Sequence, residues 1–105
     1  MSKHFKNKKF LITGGQGFLG QALIRQLKEL HCKKIFIVSH KKYNLVSEID
    51  VKKVYKKFKP DIVFHLAAAV GGIGINARNP GRFFYENAMM NLNVIHQAYI
   101  NKVEK

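Results

Sequence analysis

The residues best suited to chemistry in this chain are the glycines of Thr13-Gly14-Gly15-Gln16-Gly17-Phe18-Leu19-Gly20. They separate a short apolar run, Phe10-Leu11-Ile12-Thr13, from a segment with apolar residues at 19, 22, 23, 27 and 30, the spacing of one helix face. A tight turn out of a buried strand needs a residue without Cβ. A second glycine lets the main chain approach a pyrophosphate, and a third lets the helix pack closely on the strand. The start of the helix then aims free N–H groups and the positive end of its dipole at the phosphates. Two registers fit this fingerprint of a dinucleotide site: Gly15-x-Gly17-x-x-Gly20, and Gly14-x-x-Gly17-x-x-Gly20 led by Thr13.

About twenty residues past such a loop, a site for NAD usually carries Asp or Glu to hold the ribose 2′-hydroxyl. Here the sequence reads Ser39-His40-Lys41-Lys42, with no acid. A carboxylate would repel a 2′-phosphate, whereas His or Lys pairs with it, so the residues favour NADP (NADPH). Other reactive side chains fit structural roles. Tyr55-Lys56-Lys57-Phe58-Lys59 reads Tyr-x-x-x-Lys, but Tyr55 shares an apolar stripe with Val51, Val54 and Phe58 and is expected in the core. Cys32, the only cysteine, has no His or acid placed to activate it. A lone cysteine excludes a disulfide framework and fits a reducing cytoplasm. The five histidines show no metal-ligand spacing, and His65, ending an apolar run, is expected to be a satisfied core histidine.

The elements that must position these residues follow from the same patterns. Residues 1–9 form a polar, basic arm expected to fray, and residues 10–105 form one domain. Strands are expected at 10–13, 35–38 and 61–66, with a short additional strand at 43–46. Helices are expected at 18–30, at 47–58 ahead of Pro60, and from Pro80 to about 102. The last helix would bury a stripe of Phe84, Ala88, Leu92, Ile95 and Tyr99. Alternating strands and helices imply an α/β fold with a parallel sheet. Right-handed crossovers predict a Rossmann-type doubly wound sheet of strand order 3-2-1-4, its N-terminal part only, with one edge left unpaired along 61–66.

Composition narrows the partners. Of the 105 residues 47% are apolar, yet no apolar run approaches the roughly 18 residues of a membrane span, and the basic start carries no secretory h-region. The formal charge is +13, but sixteen of the nineteen basic residues are lysines scattered along the chain. Base readout leans on Arg, so no nucleic-acid partner is expected.

With these motifs placed, the chain resembles the extended short-chain dehydrogenase/reductases of the NAD-dependent epimerase/dehydratase family, which act on nucleotide sugars. The glycine loop, Asn44-Leu45-Val46, His65-Leu66-Ala67-Ala68-Ala69-Val70-Gly71-Gly72-Ile73 and Asn87-Ala88-Met89-Met90-Asn91-Leu92-Asn93-Val94-Ile95-His96 carry the resemblance. The last two stretches point to the branch that epimerises and reduces GDP-4-keto-6-deoxymannose. The resemblance implies that Gly14, Gly15, Gln16, Gly17, Phe18, Leu19 and Gly20 line the cofactor pyrophosphate. His40, with Lys41 as second candidate, would meet the 2′-phosphate, and Asn44 and Leu45 would border the adenine. Leu66, Ala67 and Ala68 would pass under the ribose, and Asn87 would stand behind the nicotinamide half. Family members are much longer. Their Ser or Thr, Tyr-x-x-x-Lys, and epimerising Cys and His would all fall beyond Lys105, so this chain alone is expected to be inactive. A nucleotide-sugar substrate and a homodimer belong to the longer parent. The alternatives are a non-catalytic nucleotide-binding or interaction module, or a piece of another nucleotide-sugar epimerase or dehydratase.

Overall fold

The computed structural model describes residues 3–67 and 80–105. The elements run α1 (Lys3–Lys6), β1 (Lys9–Thr13), α2 (Phe18–Glu29), β2 (Lys34–Ile37), α3 (Glu48–Phe58), β3 (Ile62–His65) and α4 (Pro80–Ile100). The strands form a parallel sheet in the order β2-β1-β3, with Phe10 beside Ile35 and Ile62, and Leu11 beside Phe36 and Val63. Central β1 is covered on both faces, which is why its sequence is continuously apolar rather than alternating. Phe10 and Ile12 pack with Leu27, Cys32 and Ile62 on the α2 side. Leu11 packs with Val51, Val54, Tyr55, Met90 and Val94 on the side of α3 and α4. The result is a three-layer α/β/α sandwich.

Local chemistry sets the element ends. Ser47 caps α3, its hydroxyl accepting from the Asp50 N–H, and Glu48 and Asp50 lie in the first turn, where the helix dipole favours acids. The helix closes on Lys59 in the left-handed region, at φ 46°, one residue before Pro60. Among the described residues no helix is long and apolar enough to cross a membrane.

The structure corrects four expectations. Residues 43–46 form turns rather than a strand, so the expected order 3-2-1-4 is reduced to its 2-1-4 part. The reason is Asn44. Its side-chain oxygen accepts from the Val46 N–H at 3.0 Å and its carbonyl from the Ser47 N–H at 2.9 Å, so local bonds replace a ladder. From Phe5 onward the N-terminal arm is docked, not frayed: the Phe5 ring lies 6.4 Å from that of Phe10, and the Cys32 thiol donates to the Phe5 carbonyl. The outer edge of β3 is partly paired. The Glu104 N–H donates to the Asp61 carbonyl at 2.9 Å, and the Val63 N–H to the Lys105 carbonyl at 2.7 Å.

The fourth correction concerns α4. Phe84, Leu92, Ile95 and Tyr99 are exposed, while Met90, Asn93, Val94 and Gln97 face the core. Two stripes of this helix could be buried, and the contact with α3 selects the one holding Met90 and Val94.

Candidate functional site

The glycine loop turns sharply at Gly14, whose φ of 74° favours a residue without a side chain. A Cβ there would lie 2.7 Å from both the Leu66 carbonyl carbon and the Ala67 nitrogen, so the loop is pressed against the exit of β3. A Cβ on Gly20 would collide with the Gly14 carbonyl, and one on Gly15 would come within 2.6 Å of the Ile37 side chain. Gly17 differs. Its Cβ would meet only the Gly14 oxygen, at 3.4 Å, and otherwise open space. The left-handed turn at 14, the open position at 17 and the helix contact at 20 match the Gly14-x-x-Gly17-x-x-Gly20 register.

Gly17 is also the N-cap of α2. Among the described residues no side chain caps it, and the first turn holds no acid. The first-turn N–H groups have no partner within the helix and carry the positive end of its dipole. An uncapped, acid-free helix start behind so open a glycine has the chemistry to cradle an anion.

The cradle opens into a cavity of about 550 Å³, a size that suits small-molecule sites. Gly14, Gln16 and Gly17 supply one side, and Leu66 and Ala67 line it after β3. Val38 and His40 enter from the end of β2, Asn44, Leu45 and Val46 from the following turns, and Glu86 and Met90 from α4. The cavity lies at the carboxyl ends of the parallel strands, where the neighbouring strands β1 and β3 lead to helices on opposite faces of the sheet. Open α/β sheets bind ligands at this switch point.

Eight of the expected site residues therefore converge: Gly14, Gln16, Gly17, His40, Asn44, Leu45, Leu66 and Ala67. Gly15 and Gly20 lie behind the cavity and shape the loop. Phe18, 93% exposed, and Leu19, 64% exposed, face solvent. Lys41 is exposed and outside the lining, and the Asn87 amide donates to the Phe83 carbonyl of its own helix. Ala68 and the glycines that follow it lie outside the described residues. Sequence reasoning missed Val38, Val46, Glu86 and Met90. Val46 and Met90 fall within the stretches that carry the family resemblance, whereas Glu86 showed only its four-residue spacing from Arg82, with which it forms an ion pair at 2.7 Å.

Hydrogen bonds hold the seam between β1 and β3 beneath the cavity. The Ala67 N–H donates to the buried Thr13 hydroxyl oxygen at 3.0 Å, Thr13 Oγ1 lies 2.7 Å from His65 Nδ1, and His65 Nε2 lies 2.7 Å from Asn91 Oδ1. Every group is satisfied when the Thr13 hydroxyl donates to Nδ1 and Nε2 donates to Asn91, so His65 is occupied in structure. So is Tyr55: it is 1% exposed, its hydroxyl donates to the Val94 carbonyl at 2.8 Å, and burial pushes its phenol up to about 12. It is no proton donor for a ligand.

The parallel sheet, its flanking helices and the glycine loop define a Rossmann-type unit. Residues 10–105 match the NAD dependent epimerase/dehydratase family, and the chain belongs to it. It is 34% identical over 100 residues to GDP-L-fucose synthase 1 of Arabidopsis thaliana, covering 95% of this chain and 31% of that protein. The chain thus spans under a third of the length of this curated relative. Among solved structures, the GDP-mannoheptose C4 reductase MlghC of Campylobacter jejuni with NADP bound superposes with a TM-score of 0.86 at 33% identity, covering 93% of this chain and 31% of that one. A GDP-L-fucose synthetase of Naegleria fowleri bound to NADP gives 0.82 at 31% identity, covering 93% and 30%.

Proposed function

We propose that this chain forms the NADP-holding part of a nucleotide-sugar epimerase-reductase, with conversion of GDP-4-keto-6-deoxymannose to GDP-L-fucose as the activity of the longer parent. One observation carries the reading: an uncapped helix start behind the open Gly17 shares a cavity with His40, in a stretch that holds no carboxylate. The GDP-sugar enzymes with NADP among the relatives support it.

The residues present fit the cofactor. The first-turn N–H groups of α2 hold the pyrophosphate, and Gly17 leaves room for it. His40, with the exposed Lys41 next to it, pairs with the 2′-phosphate. Asn44 and Leu45 flank the adenine, while Leu66 and Ala67 bring main chain beneath the ribose. When bound, the cofactor supplies the hydride that reduces a sugar ketone. This chain's own share is to bind and orient. Proton transfer to the ketone oxygen needs a donor within hydrogen-bond reach, and Tyr55 is committed to the core. The parent is proposed to be cytoplasmic, in keeping with the buried free thiol of Cys32. It is also proposed to be homodimeric, with the exposed stripe of α4 as the surface available for pairing.

Calorimetric titration of the purified chain with NADPH and NADH tests the reading. NADPH is expected to bind at least about tenfold more tightly, a difference of about 1.4 kcal/mol. Equal or reversed affinities overturn the NADP assignment, and binding of neither overturns the nucleotide site.

A further inference from the structure

The helix α4 reaches the wall of the cavity through a residue that does not line it. Asn93 is 7% exposed, and its side-chain Nδ2 donates to two consecutive carbonyls, those of Leu45 and Val46, each at 3.0 Å. Those carbonyls belong to the turn that lines the cavity with Asn44, Leu45 and Val46. The turn has no strand neighbour to hold it. Its other polar ties run to itself or to α3: the Asn44 N–H donates to the Asp50 carboxylate at 2.8 Å, and the Val46 and Ser47 N–H groups return to Asn44. Asn93 adds the hydrogen-bonded tie to α4. One amide group serving two adjacent carbonyls fixes both the distance and the rotation of the turn. An apolar residue in its place would leave two acceptors unpaired near the core, and an unmade bond costs more than a made one gains.

We infer that Asn93 is a positioning residue that sets the affinity for the adenosine 2′,5′-bisphosphate half of the dinucleotide by holding the wall at residues 44–46. The inference rests on the cofactor reading above. A wall in place only part of the time lowers the apparent affinity in proportion to that fraction. The nicotinamide half of the ligand makes no call on this wall, so its binding is unaffected.

The test uses the 105-residue chain with Asn93→Leu, which keeps the branched outline and removes both donors, and Asn93→Gln, which keeps the donors on a longer arm. Ile62→Val, a trimming on the opposite face of the sheet, controls for lost stability. The probes are 2′,5′-ADP and reduced nicotinamide mononucleotide, with amide hydrogen exchange read in parallel. Asn93→Leu is expected to weaken 2′,5′-ADP about tenfold, as for a wall in place a tenth of the time, and to leave the mononucleotide unchanged. The amides of Asn44, Val46 and Ser47 should exchange faster, with Leu11 and Ile12 in β1 unaltered. Asn93→Gln should fall between wild type and Asn93→Leu, and it carries the test if Asn93→Leu does not fold. Unchanged 2′,5′-ADP affinity, unchanged exchange at 44–47, or an equal loss in Ile62→Val overturns the inference. Wild-type chain that binds neither NADPH nor 2′,5′-ADP overturns the cofactor reading and the affinity claim together. The exchange measurement then decides separately whether Asn93 holds the wall.

Discussion

Replacing Gly17 and Gly14 in turn by alanine separates what the glycine loop does for a ligand from what it does for the fold. At Gly14 the new Cβ faces two penalties. The backbone sits at φ 74°, a region that costs an L-residue roughly 1–2 kcal/mol. The methyl also lies 2.7 Å from main-chain atoms of Leu66 and Ala67, which cannot swing away as a side chain would. Gly14→Ala should therefore cost at least about 2 kcal/mol, a fall in melting temperature of roughly 8–16 °C for a domain of this size. At Gly17, φ is −74° and the methyl touches only one carbonyl oxygen, at 3.4 Å. Alanine is a poorer N-cap than glycine by roughly 0.5–1 kcal/mol, and the stiffer unfolded chain returns about 0.4–1 kcal/mol. The melting temperature of Gly17→Ala should thus stay close to wild type. Yet its methyl occupies the space in which a pyrophosphate meets the first-turn N–H groups. Losing one such charge-assisted bond, worth about 1.5–3 kcal/mol, weakens NADPH by roughly ten- to hundredfold. Thermal melts and calorimetric titration of both variants give the readout. Wild-type NADPH affinity in Gly17→Ala would falsify the placement of the phosphates, and a melt lowered as far as that of Gly14→Ala would refute the open space at position 17.

His40→Asp should reverse the cofactor preference, weakening NADPH at least about tenfold and sparing NADH. Parallel titrations check it, and an unchanged ratio removes His40 from the 2′-phosphate site. Tyr55→Phe should leave NADPH affinity alone and cost about 1 kcal/mol of stability through the lost bond to the Val94 carbonyl, read from denaturant unfolding. Alkali gives a second readout. The Tyr55 phenol ionises at about 12 in the fold against 10.0 for the free side chain. Folding therefore favours the neutral phenol, and that stabilisation is complete below pH 10 and drains away as pH rises through about 12. Tyr55→Phe should lose less stability over that window, and identical slopes would show that the burial of this phenol is not what the fold defends. Finally, the 105-residue chain with NADPH and GDP-4-keto-6-deoxymannose should show no turnover, followed by NADPH absorbance and product analysis. Turnover that disappears in Tyr55→Phe would restore that tyrosine as a proton donor.

Wherever the chemistry was local, the sequence by itself determined the outcome. A short, β-prone apolar run ending in glycines reads as a covered strand feeding a tight turn, and β1 and its loop follow. Ser47, Pro60 and Pro80 mark helix ends because capping and proline geometry act within a few residues. The absence of an acid at 39–42 is readable as charge, without coordinates. Tertiary structure alone decided three other matters. Residues 43–46 carry β-prone side chains, but a strand needs a neighbour, and the bonds of Asn44 close the segment into turns first. Helical spacing in α4 shows which residues share a stripe but not which stripe meets the sheet. That choice, made by packing against α3, exposes Leu92 and Ile95 and turns Asn93 inward onto the wall of the cavity. The convergence of Gly17, His40, Leu45 and Met90 on one cavity joins residues from four parts of the chain. Periodicity describes each segment about its own axis, whereas a site depends on how those axes are set against one another, and only packing fixes that.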